Sequence, residues 1–190
     1  MKRSLSGLFF LLAFISMSGQ GTMTDKRDRN VYRIINIDSV SWMGENLKYI
    51  PKEGASYFDN NINNIQDYGV LYDWKTAMIV CPAGWRFPSA TEFRKLANHF
   101  EQKESWGKIA SDPTSFGIQL GGMLDYEGTF SEVGESCYFW TSIEYDTNNS
   151  EYFSYVLIDQ IPVIDISRPE DIADMHGTEK ANKYSVRCVK

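Results

Sequence analysis

The chain has 190 residues, of which 19 are Lys or Arg and 25 are Asp or Glu, so its formal net charge is −6. This length suits one domain of ordinary size. Because binding to phosphates depends on clustered Lys and Arg, which this acidic chain lacks, we expect no nucleic-acid partner.

The first 20 residues have the pattern of a secretory signal peptide. A short basic region, Lys2-Arg3, precedes an unbroken apolar stretch over residues 8–15, and the small residues Ser16, Ser18 and Gly19 follow. The apolar stretch is shorter than the roughly 20 residues that a membrane-spanning helix needs. We therefore predict a signal peptide at residues 1–20 and a single domain at 21–190. The mature chain is then secreted, periplasmic or at the cell surface, without a transmembrane segment.

The mature chain opens with a predicted hairpin. Apolar and polar residues alternate from Asn30 to Ile37, and a second run from Val40 to Leu47 follows a turn at Asp38-Ser39. Residues 51–67 are polar and rich in Asn, which predicts a surface loop.

Two helices are predicted in the middle of the chain. Residues 68–80 carry Leu71, Trp74, Ala77 and Met78 at helical spacing. The second helix is better supported, because Ser89 and Glu92 have the spacing of a capping box. Its apolar face consists of residues at positions i, i+3, i+4 and i+7: Phe93, Leu96, Ala97 and Phe100.

Short strands separated by glycines are predicted after residue 107. The runs from Tyr138 to Ile143 and from Tyr152 to Ile158 read as strands, joined by a turn at residues 146–150. Residues 165–182 are charged and poorly patterned, which indicates a long loop before a final strand at residues 184–189.

Three cysteines in an exported chain raise a question of pairing. In the final strand Tyr184, Val186 and Cys188 alternate with Ser185, Arg187 and Val189, which places the Cys188 sulfur on an apolar face. Cys81 follows an apolar run and precedes Pro82, so it also points inward. We predict a disulfide between Cys81 and Cys188, and the alternative is two buried free thiols. Cys137 is then the unpaired thiol, buried beside Phe139 and Trp140.

Six motifs in order carry a family resemblance. They are Trp42-Met43-Gly44-Glu45-Asn46-Leu47, Tyr68-Gly69-Val70-Leu71-Tyr72-Asp73-Trp74, Cys81-Pro82-Ala83-Gly84-Trp85-Arg86-Phe87-Pro88-Ser89, Gly121-Gly122, Trp140-Thr141-Ser142 and Ser185-Val186-Arg187-Cys188-Val189. Over nearly the whole mature chain they resemble the Fibrobacter succinogenes major paralogous domain family. More distantly, the helix start and the terminal Arg-Cys strand resemble the C-type lectin-like fold of formylglycine-generating enzymes, with Phe87 and Phe93 in place of the usual Leu and Trp.

The resemblance implies an α+β protein of C-type lectin-like fold. Such a domain has two helices, short and mostly antiparallel strands, adjacent N- and C-terminal strands, and long irregular loops. The tryptophans within the motifs are expected in the core: Trp42, Trp74, Trp85 and Trp140.

The function that the resemblance implies is less specific than the fold. Members are mostly uncharacterised exported or surface proteins of Bacteroidetes-like and Fibrobacter-like bacteria, and lectin-like relatives bind proteins or sugars through their loops. We therefore expect a non-catalytic binding module with a protein or glycan ligand. Aromatic surface beside amide and carboxylate groups suits such ligands. The candidate residues are Tyr126, Tyr145, Asp146, Asn148, Asn149 and Tyr152, and the alternative is that they are ordinary loop and strand residues.

Two other classes of function compete with binding. A structural or assembly role at the cell surface or in an appendage predicts self-association, including a disulfide between chains through Cys137. An enzyme has little support, because His99 and His176 lack a nearby nucleophile motif, and three widely separated cysteines do not provide the reactive pair of a formylglycine-generating enzyme.

No cofactor is predicted. The sequence contains neither a CxxC nor an HExxH motif, and the acidic stretches at residues 125–135 and 165–174 lack the ligand spacing of an EF-hand loop. The calcium-binding triplets of sugar-binding lectins are also absent. A calcium ion bound by a loop remains an alternative.

Overall fold

A computed structural model describes residues 21–102, 116–158, 161–166 and 178–190. The predicted signal peptide at residues 1–20 lies outside these ranges, as does His176. Within them, short strands are interspersed with a few helices, so the protein has the predicted α+β class.

The smaller sheet contains the predicted hairpin. Its strands are β1 (Thr22–Thr24), β2 (Val31–Ile37) and β3 (Val40–Met43), which are antiparallel in the order β1-β2-β3. Asp38 turns the chain between β2 and β3 with a φ of 53°, a left-handed conformation that Asp tolerates better than most residues. The hairpin prediction is therefore confirmed.

The larger sheet has nine strands in the described part of the chain. They are β4 (Ala55–Ser56), β5 (Leu71–Tyr72), β6 (Gly121–Leu124), β7 (Phe130–Val133), β8 (Ser136–Glu144), β9 (Asn149–Ile158), β10 (Ile161–Ile166), β11 (Thr178–Glu179) and β12 (Tyr184–Ser185). The main path is β10-β9-β8-β12-β5-β4, with β11 paired to β9 and with β6 paired to β7 and β8. The predicted hairpin around residues 146–150 is the β8–β9 pair, and both strands are longer than predicted.

The predicted capped helix is α3 (Ala90–Gln102). The Ser89 amide donates to Glu92 Oε2 at 2.8 Å, and the Glu92 amide donates to Ser89 Oγ at 3.3 Å, which is the reciprocal pairing of a capping box. The four apolar side chains of the predicted face are all buried. Phe93 stacks on Phe153 of β9 with ring centroids 4.9 Å apart, so α3 packs directly on the sheet.

The helix predicted over residues 68–80 is wrong for most of its length. A one-turn helix, α1 (Ile65–Tyr68), ends there, β5 follows, and only α2 (Trp74–Ala77) is helical. Gly69 separates α1 from β5 with a φ of 80°, and a Cβ atom at this position would lie 2.5 Å from the Asn46 Cβ. Pairing of β5 with β4 and β12 therefore overrides the local helical spacing.

Two predicted loops contain regular structure. The polar segment 51–67 includes β4, two short 3-10 turns at Phe58–Asn60 and Ile62–Asn64, and the first residues of α1. The segment 165–182 includes the end of β10 and all of β11, while residues 167–177 lie outside the described ranges. Both differences come from pairing with strands distant in sequence, which periodicity does not report.

The core has two apolar clusters. The first surrounds α3 and the face of β8 and β9 that packs on it, and the second lies between β3, β5 and the C-terminal segment. Trp42 in the first cluster and Trp140 in the second are fully buried, as predicted. Trp74 and Trp85 are half-buried at the margin of the second cluster rather than inside it.

The C-terminal segment runs beside β3 and is fixed by the predicted disulfide. Cys81 and Cys188 are joined, with Cα atoms 5.8 Å apart. The Met43 amide donates to the Cys188 carbonyl at 3.0 Å, and Trp42 forms a bridge with Val189. The two ends of the domain are thus adjacent.

Both faces of this segment are buried, so Arg187 lies in the interior. Its guanidinium donates to three neutral acceptors: the Asn46 Oδ1 at 3.0 Å, the Phe116 carbonyl at 2.5 Å and the Gly117 carbonyl at 2.6 Å. Burial lowers the pKa of Arg187 to about 10, which leaves it charged at neutral pH. A buried cation therefore joins the C-terminal segment to residues about 70 positions earlier.

Candidate functional site

The predicted ligand residues fall on two loops and one strand. Tyr126 is in the β6–β7 loop, and Tyr145, Asp146 and Asn148 are in the β8–β9 loop, with Asn149 at the first position of β9. The turn at residues 179–182 contacts both loops. We call these three segments, residues 125–129, 145–149 and 179–182, the loop face.

The β8–β9 loop is folded around Asp146. Its Oδ1 accepts from the backbone amides of Asn148 and Asn149, both at 2.7 Å, and both of its carboxylate oxygens accept from the Asn149 side-chain amide. The Asn149 bonds are the main cause of a lowered pKa for Asp146. The side chains of Asp146 and Asn149 therefore shape the turn, and the residues from Tyr145 to Asn148 are all exposed to solvent.

Lys180 ties the β8–β9 loop to the rest of the domain. Its ammonium donates to the Asp146 carbonyl at 2.5 Å, to the Thr147 carbonyl at 3.0 Å and to Glu144 Oε1 at 2.5 Å. The same nitrogen lies 4.8 Å from the centre of the Trp74 ring, within the range of a cation–π interaction. Sequence reasoning missed Lys180, because it stands in a charged segment without a pattern.

The turn at residues 179–182 also holds the β6–β7 loop. The Tyr126 amide donates to Asn182 Oδ1 at 2.8 Å, while the Asn182 amide donates to the Glu179 carbonyl at 2.9 Å. The nearby carboxylates of Glu127 and Glu179 raise the pKa of Tyr126. Tyr126 is 58% exposed, and Tyr145 is 48% exposed.

Tyr152 differs from the other candidates because it is half-buried. Its ring lies 5.9 Å from that of Tyr138 and 5.8 Å from that of Tyr184, and the Tyr184 ring stacks on Trp140 at 4.4 Å. Tyr152 is therefore part of an aromatic cluster on β8, β9 and β12. Its ring packs against the sheet and does not project from a loop.

A cleft of about 450 Å³ lies beside α2, and sequence reasoning did not predict it. The residues that line it include Arg27, Tyr49, Glu53, Lys75, Thr76 and Ile79. Gly54 is at its wall with a φ of 75°, where a Cβ atom would meet the Thr76 Oγ1 at 1.8 Å, so only glycine permits this close packing.

Arg27 in this cleft is held from two sides. It donates through Nε and Nη2 to the carboxylate of Asp25 at 2.7–3.1 Å, and its guanidinium carbon lies 3.8 Å from the centre of the Tyr49 ring. Burial alone would raise the pKa of Asp25, but the hydrogen bonds from Arg27 outweigh burial and lower it. The side chain of Asp25 has no solvent exposure, so the pair is a fixed part of the wall.

The residues considered for catalysis are not assembled into a site. His99 Nδ1 lies 3.3 Å from Asp38 Oδ1 at the surface. Cys137 is fully buried, and burial raises the pKa of its thiol to about 12. A buried thiol cannot bridge to a second chain while the domain is folded, so the disulfide between chains that an assembly role would use is not available. Within the described ranges, no group of three His, Cys, Asp or Glu side chains could hold a metal ion.

The described helices are too short or too polar to cross a membrane. In a comparison with known protein families, the Fibrobacter succinogenes major domain matches residues 35–190. This covers most of the chain, and the protein therefore belongs to that family, as the six motifs predicted. No curated protein and no solved structure matches the chain.

Proposed function

We propose that this member of the Fibrobacter succinogenes major domain family is an exported, non-catalytic binding module. Its loop face binds a protein or carbohydrate ligand, and the domain extends over residues 21–190 after removal of a signal peptide. Export is supported by the basic and apolar pattern of residues 1–20 and by the disulfide, which forms in oxidising compartments.

The exposure of two tyrosines on hydrogen-bonded loops is the observation that carries this proposal. Tyr126 and Tyr145 present large aromatic surfaces to solvent, and their loops are fixed by bonds to the turn at residues 179–182. A ring on a fixed loop loses little conformational entropy on binding, which is why tyrosine is frequent in contact surfaces. Asn148 and Glu179 add exposed polar groups that can pair with a ligand.

The finer assignment of the fold is also a proposal. We infer a C-type lectin-like arrangement from the adjacent ends of the domain, the disulfide to the last strand and the irregular strands and loops after α3. In such a fold the loop-rich region can carry a ligand surface, and the loop face belongs to that region.

We also propose that the protein has no catalytic role and no cofactor, because the chemistry of the candidate groups does not suit either. The Cys137 thiol is held in its neutral form by burial, and a neutral thiol is a poor nucleophile. On the loop face, the carboxylate of Asp146 already accepts hydrogen bonds from its own turn, which compete with a calcium ion for its oxygens.

Binding at the loop face can be tested with glycan and protein arrays. We would compare wild type with a Tyr126→Ala, Tyr145→Ala double variant and with a control, Val31→Ala and Ile62→Ala, which removes two other exposed hydrophobic side chains. The proposal expects hits that the tyrosine variant loses and the control retains. An unchanged set of hits in the tyrosine variant would refute the loop face as the site, and self-association without hits would favour an assembly role.

A further inference from the structure

The cleft beside α2 has an exposed apolar side chain in its lining. Seven large hydrophobic side chains are exposed in the described part of the chain, and three of them are at or next to this cleft. Ile79 lines the cleft with 81% of its surface exposed, and Met78 and Ile50 are the chain neighbours of Ile79 and of the lining residue Pro51. Exposed apolar surface at a cleft of ligand size indicates an interaction site.

The cleft also contains two cationic side chains with donor atoms that no described residue uses. Arg27 uses Nε and Nη2 to bind Asp25, but Nη1 makes no hydrogen bond to a described residue. Lys75 lines the same cleft, and its ammonium forms no ion pair within the described residues. Because Asp25 and Tyr49 fix the guanidinium, its unused donors are oriented before any ligand arrives, which suits a carboxylate.

The acidic groups of the cleft suit the remaining part of a ligand that carries a carboxylate. Glu53 and Asp73 both line it, and Asp73 already accepts the Thr76 amide at 2.8 Å through Oδ1. Carboxylates and the Thr76 hydroxyl accept hydrogen bonds from amide N–H groups, which a peptide backbone offers and a simple anion does not. A volume of about 450 Å³ accommodates only two or three residues.

We propose that this cleft binds the C-terminal end of a peptide chain whose last residue is apolar. The terminal carboxylate pairs with Arg27 and Lys75, the apolar side chain packs on Ile79, and the preceding amides donate to the acidic side of the cleft. In a terminal residue the carboxylate and the side chain leave the same carbon atom, so both can reach their partners in a small cleft. This site is separate from the loop face and does not depend on the function proposed for it.

Three peptides test the chemistry of the site. We would titrate the purified, disulfide-bonded protein with N-acetyl-Gly-Gly-Leu carrying a free carboxylate, with its C-terminal amide, and with the internal acid N-acetyl-Leu-Glu-Gly amide. The free acid is expected to bind about tenfold more tightly than either amide, since a charge-assisted hydrogen bond is worth about that factor. NMR shift changes should centre on residues 49–54 and 75–80. Equal affinity of acid and amide, tighter binding of the internal acid, or no binding at millimolar peptide would overturn the proposal.

Matched variants locate the site without disturbing the fold. Ile79→Ser should weaken binding of the free acid by about fivefold, whereas Ile62→Ser, which changes another exposed isoleucine, should not. Lys75→Gln should reduce the preference for acid over amide, whereas Lys95→Gln on the exposed side of α3 should leave it unchanged. If Ile79→Ser and Lys75→Gln behave like their controls, the peptide binds elsewhere and the proposal is refuted.

Discussion

The ammonium of Lys180 lies 4.8 Å from the centre of the Trp74 ring, while it donates to two carbonyl groups of the β8–β9 loop. Trp74 in turn donates through its indole nitrogen to the Thr141 carbonyl at 3.0 Å. One lysine therefore joins α2, β8 and the loop that carries Tyr145, and it determines the position of that loop relative to the sheet.

Replacement of Lys180 should loosen the β8–β9 loop more than it affects the rest of the domain. In Lys180→Ala two loop carbonyls lose their donor, and the free energy of unfolding should fall by about 1–2 kcal/mol. The ion pair with Glu144 adds little to this value, because the Glu144 side chain is well exposed. Hydrogen exchange should speed up at residues 145–149. Lys95→Ala, at an exposed helical position, is the control, and equal exchange rates in both variants would contradict the assigned role.

The disulfide should contribute a large part of the stability. Cys81 and Cys188 are 107 positions apart, and a loop of that length restricts the unfolded chain by about 4–5 kcal/mol in the entropy model. Cys81→Ala should therefore lower the free energy of unfolding by about this amount, as measured by urea titration. The wild-type protein in reducing buffer provides the comparison, since it lacks the bond but keeps the sulfur atoms. If both Cys81→Ala and the reduced wild type lose less than 1 kcal/mol of unfolding free energy, the disulfide does not stabilise the fold.

Arg187 should be among the least replaceable residues outside the apolar core. In Arg187→Met, the Asn46 Oδ1 and the carbonyls of Phe116 and Gly117 lose their donor inside the protein. Each unsatisfied buried acceptor costs about 1–3 kcal/mol, so we expect a loss of roughly 3–5 kcal/mol or a failure to fold. Lys95→Met removes a cation from the exposed side of α3 and serves as control. Similar unfolding free energies for the two variants would rule out this account.

The cap of α3 should make stability depend on pH in the acidic range. Hydrogen bonds from Arg86, with help from Ser89, lower the pKa of Glu92 to about 2. Since the folded pKa is below the value of an unfolded glutamate, about 4.3, this stabilisation is present above that value and is lost as the pH falls towards 2. Exposure of the Arg86 side chain reduces the size of the effect, for which we expect about 1–2 kcal/mol.

Urea titrations of wild type and Glu92→Gln between pH 2 and 7 measure this dependence. The two proteins should differ most at neutral pH and converge near pH 2, where the wild-type carboxylate becomes protonated. A difference that is constant over this range would show that the charge of Glu92 does not stabilise the helix.

Several elements could be predicted because their causes are local. The helix at residues 90–102 follows from the Ser89–Glu92 cap and an apolar stripe within one segment, and the two hairpins follow from alternation on both sides of short turns. The predicted helix at residues 68–80 failed for the opposite reason. There, strand β5 pairs with β12, more than a hundred positions later, and with β4 across a segment that looks like a plain loop.

The residues of the candidate site also fall into those that the sequence predicts and those that it does not. Tyr126 and Tyr145 could be chosen from the sequence, because an aromatic residue within a polar, glycine-punctuated segment is a recognisable pattern. Lys180 and the cleft could not, because Lys180 gains its role from carbonyls more than 30 positions away and the cleft from the meeting of β1–β2, β3–β4 and α2 segments.

By itself, the sequence determined the family and the capped helix, since both rest on residue types at short or recurring spacing, and it predicted the pairing of Cys81 with Cys188 from the inward position of each sulfur. Only the tertiary structure decided that both faces of the C-terminal segment are buried, that Arg187 is an interior cation and that Arg27 is fixed between Asp25 and Tyr49. Burial and hydrogen-bond partners depend on which distant segments pack together, and an alternating pattern records only which side chains share a face.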